Sequence, residues 1–195
     1  MSVCGLLFIF SLVGGVFWFN EWKYSLPTPV PKHYHSPSTG DYIDLGAILK
    51  PGDKKPVFLH FFNPDCPCSK FNVPHFAALA TKYQDKINFA VIVMAKERNY
   101  TEEEIRKKFN LNVPVLFDTS LAVACGVYST PQAVLLSESH TLYYKGNYNR
   151  SRYCTDPNSN YAQMAIDSLL ANNRQPLFNK YALTAYGCSL PTCKK

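Results

Sequence analysis

Residues 3–19 (VCGLLFIFSLVGGVFWF) are an almost unbroken apolar run without a charged side chain, and the pattern changes abruptly at Asn20 and Glu21. As a helix rising about 1.5 Å per residue, such a run nearly crosses a bilayer core. No small-x-small cleavage site follows it, so residues 1–22 are expected to form an uncleaved transmembrane signal anchor, with Trp18 and Trp22 in the interfacial belt. Cys4 precedes most of the run, unlike a lipoprotein cysteine, and is expected to face lipid. Residues 23–40 carry Pro27, Pro29, Pro31 and Pro37 and no periodic apolar face, which predicts an extended polyproline spacer.

From residue 41 onward, short apolar runs alternate with helical spacing. Residues 56–62 (PVFLHFF) and 87–94 (INFAVIVM) have the length and composition of buried parallel strands. Between them Phe71, Val73, Phe76, Leu79, Ala80 and Tyr83 recur at near-helical spacing, predicting a helix over 72–83. Thr101 and Glu104 have the spacing of a capping box that opens a helix over 101–109. A short strand at 113–117 and a helical turn or two at 119–125 follow. Strands at 133–136 and 142–144, joined by SESHT, then lead to an amphipathic helix at 161–170. The sum is an α/β layer arrangement over 41–172 and a cysteine-containing tail over 173–195, with no internal repeat.

Composition narrows this picture. With 195 residues, 47% hydrophobic and 17% charged, the chain has the material for one domain with a sizeable core and is not a disordered polymer. The net charge of +6 comes from scattered lysines and arginines, with no basic stripe interleaved with aromatics, so nucleic acid is not an expected partner. Seven cysteines are too few for a small disulfide scaffold and more than a cytosolic domain of this size usually carries. They imply thiol chemistry or an oxidising compartment. His33 and His35 lie in the spacer without further ligands; no metal or cofactor is expected.

The stretch FFNPDCPCSKFNVPHF places Cys66 and Cys68 between the end of a buried strand and the start of a helix. Unpaired N–H groups and the helix dipole stabilise a thiolate there, and can draw a thiol pKa well below its usual ~8.5. At these residues the sequence resembles the thioredoxin superfamily, in particular its membrane-anchored redoxin (AhpC/TSA-like) branch: a hydrophobic strand, F-F-x-x-x-C, then a helix interrupted by Pro74. The resemblance runs from about residue 42 to residue 170 and implies a thioredoxin-like fold, a central mixed sheet flanked by helices. It also implies that Thr130-Pro131, in GVYSTPQAVLL, forms a cis-proline turn that faces the reactive cysteine and presents substrate backbone.

Laid on the C-x-x-C motif of that superfamily, Cys66 takes the nucleophile's position and Ser69 falls where the second cysteine belongs. Cys68 is the expected substitute as resolving thiol, in a strained bridge. His60 lies six residues before Cys66, where the resemblance implies a buried acidic proton shuttle. A histidine there either exchanges protons near neutral pH or is a hydrogen-bonded structural residue. Cys125 reads as a small buried hydrophobe and Cys193 as exposed. Cys154 and Cys188 flank the last helix and either pair with each other or supply a thiol that resolves Cys66. Arg150 and Arg152 read as solvated, with binding of an anion near Cys154 as the other option.

The function expected is a membrane-anchored thiol-disulfide oxidoreductase acting on protein thiol and disulfide clients and served by a further redox partner. Lys23 and Lys32 after the apolar run favour a cytoplasmic domain by the positive-inside count. The cysteine content outweighs them and places the domain on the extracytoplasmic, periplasmic side of a bacterial inner membrane. Three alternatives remain: a thiol peroxidase, disfavoured because Asn63 stands where such enzymes carry Thr or Ser; a copper-handling protein using Cys66, Cys68 and a distant histidine such as His140; and a non-catalytic interaction domain.

Overall fold

Every residue of strand β1 (Val57–Phe62) is buried, because both faces of the sheet around it are covered. In the computed structural model, which describes residues 3–46, 54–95, 99–151, 153–173 and 176–190, β1 sits between parallel β2 (Asn88–Val93) and antiparallel β5 (Gln132–Leu136). With β3 (Val115–Leu116) and β6 (Leu142–Gly146) at the edges, the order is β3-β2-β1-β5-β6. Alternation along β1 divides the core in two. Phe58 and Phe62 join Phe76 of α2 (Pro67–Tyr83), Ile105 of α3 (Glu102–Phe109) and Ile166 of α5 (Tyr161–Leu170) on one face. Val57, Leu59 and Phe61 meet Leu121 and Ala122 of α4 (Ser120–Ala124) on the other. This is the expected thioredoxin-like mixed sheet with flanking helices.

Local chemistry explains the boundaries. Thr101 and Glu104 form the anticipated capping box: the Glu104 N–H donates to Thr101 Oγ1 at 3.2 Å, and the Thr101 N–H to Glu104 Oε2 at 2.8 Å. Helix α2 starts at Pro67 rather than at residue 72, directly after Cys66 as N-cap. Proline is tolerated at a first helical position because its missing N–H would lack a partner there anyway, whereas the apolar periodicity only begins at Phe71.

Three features depart from the sequence reading. The N-terminal apolar segment is helical, α1 (Val3–Ser25), and its large apolar side chains are exposed, Phe10 at 71% and Trp18 at 73%. Among the described residues, however, no helix is long and apolar enough to cross a membrane, so the expected span is not shown. The described apolar stretch, ending at Phe19, rises about 25 Å at ~1.5 Å per residue, against a ~30 Å hydrocarbon core. Secondly, the proline-rich segment is packed onto the domain rather than held off it. Thr28 is buried, and the Tyr34 hydroxyl donates to the carbonyl of Gly126. Lys145 Nζ holds Tyr34 and Ser36 at 3.0 and 2.6 Å. Thirdly, the tail folds back. After α6 (Lys180–Leu183), the two-residue strand β7 (Cys188–Ser189) pairs antiparallel with β4 (Ser129–Thr130), Thr130 opposite Cys188.

Candidate active site

Cys66 caps α2 in an extended conformation without a side-chain capping bond, so the first-turn N–H groups converge on the end of the helix that bears its sulfur. The turn before it is built by Asn63: its carbonyl accepts from the Cys66 N–H at 3.1 Å, and its Oδ1 accepts from the Asp65 N–H at 2.9 Å. Ser69, in the place of a second C-x-x-C cysteine, is fully buried, and its Oγ accepts from the Asn63 N–H at 3.2 Å. It therefore fastens the turn.

The Thr130-Pro131 bond is cis, as the resemblance implied, and the Thr130 carbonyl oxygen lies 4.0 Å from Cys66 Sγ. Cys66 is covalently joined to Cys188 from the tail, with a Cα–Cα distance of 6.7 Å. The expected bridge to Cys68 is thus not the one present. Cys68 retains its thiol, and the Sγ atoms of Cys66, Cys68 and Cys188 all lie within 4.8 Å of one another in a buried cluster. A cleft of about 280 Å³, lined by Cys68, Asn72, Pro131, Tyr148 and Arg150 among others, reaches this cluster. Three sulfurs are a donor set for a soft metal, but only once the disulfide is reduced. His140, the histidine considered for copper, instead stacks on Tyr42 at the turn between β5 and β6, and the metal-capable cluster among the described residues takes Cys188 in its place.

The tail is fastened by a residue of the proline-rich segment. Thr28 Oγ1 donates to the Gly187 carbonyl at 2.8 Å and accepts from the Gly187 N–H at 2.9 Å, while its backbone N–H donates to Ala185 at 2.7 Å. The same hydroxyl meets Ser129 Oγ at 3.0 Å. Neither Thr28 nor Ser129 carried a signal in the sequence beyond its residue type. Their role emerges only from the contact between two segments more than a hundred residues apart.

His60 is fully buried on β1, stacked on Phe76 at 4.6 Å, with Nδ1 2.7 Å from the Tyr148 hydroxyl and Nε2 without a hydrogen-bond partner. Burial pulls its pKa down from 6.5 to about 3. The imidazole is therefore neutral at physiological pH, and proton exchange near neutrality is not what this environment supports. Because the folded-state pKa lies below the unfolded one, His60 is neutral at no cost above about pH 6.5 and penalises folding progressively as pH falls toward about 3. Between pH 6 and 4, wild-type stability should fall more steeply than that of His60→Gln, with a difference in slope of up to about 1.4 kcal/mol per pH unit. Urea titrations across that range check this; parallel acid limbs would refute it.

The other cysteines lie outside the disulfide. Cys125 is fully buried, and burial pushes its thiol up to about 12, consistent with the packing role expected. Cys154 is half-buried, donates to Asn72 Oδ1 at 3.2 Å, and is likewise pushed up to about 12 by burial. It does not pair with Cys188. Arg150 lies over the Tyr181 ring at 4.8 Å. Arg152 and Cys193 fall outside the described residues.

A mixed sheet with a helix-capping cysteine opposite a cis-proline and bonded to a second cysteine defines a protein of the thioredoxin-like fold. The family model for a domain of unknown function, DUF6436, matches residues 43–192, and the chain belongs to that family. It is 28% identical over 101 residues to the thiol-disulfide oxidoreductase ResA of Halalkalibacterium halodurans, a match covering 51% of this chain and 55% of that one. The chain thus spans about half the length of this curated relative. Among solved structures it resembles a hypothetical protein of Sinorhizobium meliloti 1021, at TM-score 0.66 and 18% identity over 80% of this chain and 96% of the other. An uncharacterized conserved protein of Geobacillus kaustophilus gives 0.58 and 18%, over 79% and 93%. A thioredoxin-like protein solved in its oxidised form gives 0.50 and 16%, over 76% and 98%. These likenesses show the fold. They do not distinguish the AhpC/TSA-like branch.

Proposed function

We propose that the protein exchanges disulfides with protein clients through Cys66. The observation that carries this reading is the Cys66–Cys188 disulfide at the start of α2, beside the cis-proline turn. In the reducing direction, the Cys66 thiolate attacks one sulfur of a client disulfide. The client S–S bond breaks, a Cys66–client bond forms, and the other client sulfur leaves as a thiolate. A second thiol of this chain then attacks Cys66 Sγ and releases the client dithiol, leaving the chain oxidised by two electrons. The opposite direction runs through the same intermediates.

Two thiols can perform the second step, and the geometry supports an order. A client strand seated at Thr130 would occupy the edge that the tail now holds, which excludes Cys188 while the client is bound. Cys68 is two residues from Cys66 on the same helix end and needs no tail movement. Cys68 therefore releases the client, after which Cys188 displaces Cys68 and stores the disulfide. No cofactor is required by this chemistry, and a separate redox partner must reset the chain. The uncovered apolar side chains of α1 support attachment to a membrane, since exposed patches of that kind mark interaction surfaces. Stable disulfides support an extracytoplasmic site of action.

The test is trapping. Cys68→Ser should accumulate mixed disulfides between Cys66 and client proteins, seen as reducible high-mass species on a gel, whereas Cys188→Ser should accumulate far fewer. Adducts in the Cys188 variant with normal turnover in the Cys68 variant would make the tail the sole resolving arm. Absence of adducts in both would overturn the exchange reading.

A further inference from the structure

The tail does more than supply a sulfur, because it lies on the protein as a peptide would. Residues 188–189 run antiparallel to β4, with Cys188 opposite Thr130 and its sulfur on Cys66, and Gly187 leads into them. On the other side, Thr28 satisfies both the N–H and the C=O of Gly187 with one hydroxyl. The segment is thus held by β4 at Cys188 and by Thr28 at Gly187, with a cysteine delivered to the nucleophile.

Gly187 is the informative residue. It is not among the glycines with positive φ, so its backbone conformation does not call for glycine. Space does. A Cβ on Gly187 would overlap the Thr130 carbonyl oxygen and come within 2.6 Å of Ser129 Oγ and of the Thr130 carbonyl carbon. The obstacles are mostly backbone, held in β4 between the cis-proline and the strand pairing, and cannot swing aside as a flexible side chain would.

We propose that in the oxidised protein residues 187–189 occupy the place that a client backbone takes at the Ser129–Thr130 edge, and that this place, closed by Thr28, favours clients with glycine immediately before the reacting cysteine. This deepens the exchange reading and rests on it. A client enters by displacing the tail, and its Gly-Cys backbone takes over the bonds that Gly187 and Cys188 now make. A client with a side-chain-bearing residue before its cysteine meets the Thr130 carbonyl and must shift out of register, which moves its sulfur away from Cys66.

The experiment uses the full-length Cys4→Ser/Cys68→Ser/Cys188→Ala/Cys193→Ser protein, in which no other exposed thiol competes and an adduct on Cys66 can neither be resolved by Cys68 nor replaced covalently by the tail. Two tetrapeptides, Ser-Gly-Cys-Ser and Ser-Ala-Cys-Ser, are each activated as the mixed disulfide with thionitrobenzoate. The Cys66 thiolate attacks the peptide sulfur, the Cys66–peptide disulfide forms, and thionitrobenzoate leaves, so its colour reports the rate. The glycine peptide should react at least about tenfold faster, in keeping with the cost of forcing a methyl group against fixed backbone. Activated free cysteine, which has no preceding residue, serves as the control for Cys66 reactivity. Equal peptide rates overturn the proposal, as does failure of both peptides while activated cysteine still labels Cys66. Failure of activated cysteine as well would overturn the exchange reading itself. A second variant removes the dependence on added peptides: in a Cys68→Ser background, Gly187→Ala should slow reformation of the Cys66–Cys188 disulfide by a similar factor. An unchanged reoxidation rate would again overturn the proposal.

Discussion

Cys66→Ser should lower disulfide-exchange activity on the order of a thousandfold or more, because it removes the atom to which every intermediate is bonded. Insulin reduction coupled to a thiol reductant reads this directly. Cys68→Ser and Cys188→Ser should have smaller effects on the first turnover, since neither sulfur makes the initial bond to the client. The asymmetry is set by position. Cys66 ends the turn fastened by Asn63 and Ser69 and caps α2, whereas Cys68 is the second residue of the helix and Cys188 arrives on a separate segment. If Cys66→Ser retained substantial activity and Cys68→Ser did not, the roles of the two α2 cysteines would be reversed.

Reduction of the Cys66–Cys188 disulfide should lower the unfolding free energy by about 4 to 5 kcal/mol, provided the denatured chain is otherwise unconstrained. The bond closes a loop with a sequence separation of 122, and the unfolded ensemble regains the entropy of that loop when it opens. Chemical unfolding of the wild type with and without a reductant measures the difference, and Cys188→Ser in oxidising buffer should reproduce the reduced value. The folded chain loses in addition the anchor of β7, so amide protection of residues 184–190 should drop before that of the central strands. Equal stability with and without reductant would mean that this bond does not persist in solution.

The two central strands and most helices were legible in the sequence because each is long enough to show its period: PVFLHFF and INFAVIVM fill both faces of a buried sheet, and Thr101 with Glu104 announces a helix start. The placement of Cys66 at the start of a helix was legible from the strand before it, and the cis-proline turn from the resemblance. The partner of Cys66 was not. β4 and β7 have two residues each, too few for any alternation, and pairing across 122 positions leaves no local trace. Proximity along the chain favoured Cys68, but folding brings the tail as close in space and holds it through Thr28. His60 was read from its position relative to Cys66, which says nothing of how completely Phe76 and Tyr148 would enclose it. The proline-rich segment looked like a spacer because proline removes backbone donors, yet its remaining polar groups, on Thr28, Tyr34 and Ser36, are the ones that dock.

The covalent loop also gives the molecule a mechanical asymmetry. Strand β1 lies before Cys66, outside the loop, while β2, β3, β5 and β6 lie within it. Tension applied at the two chain ends in the oxidised state can draw out the N-terminal segment and then β1, the strand that joins β2 to β5, but it cannot extend anything between the linked cysteines. Once the bond is reduced, those residues become extensible and add roughly 400 Å of contour at about 3.4 Å per residue, so the redox state of one sulfur pair sets how far this protein can stretch.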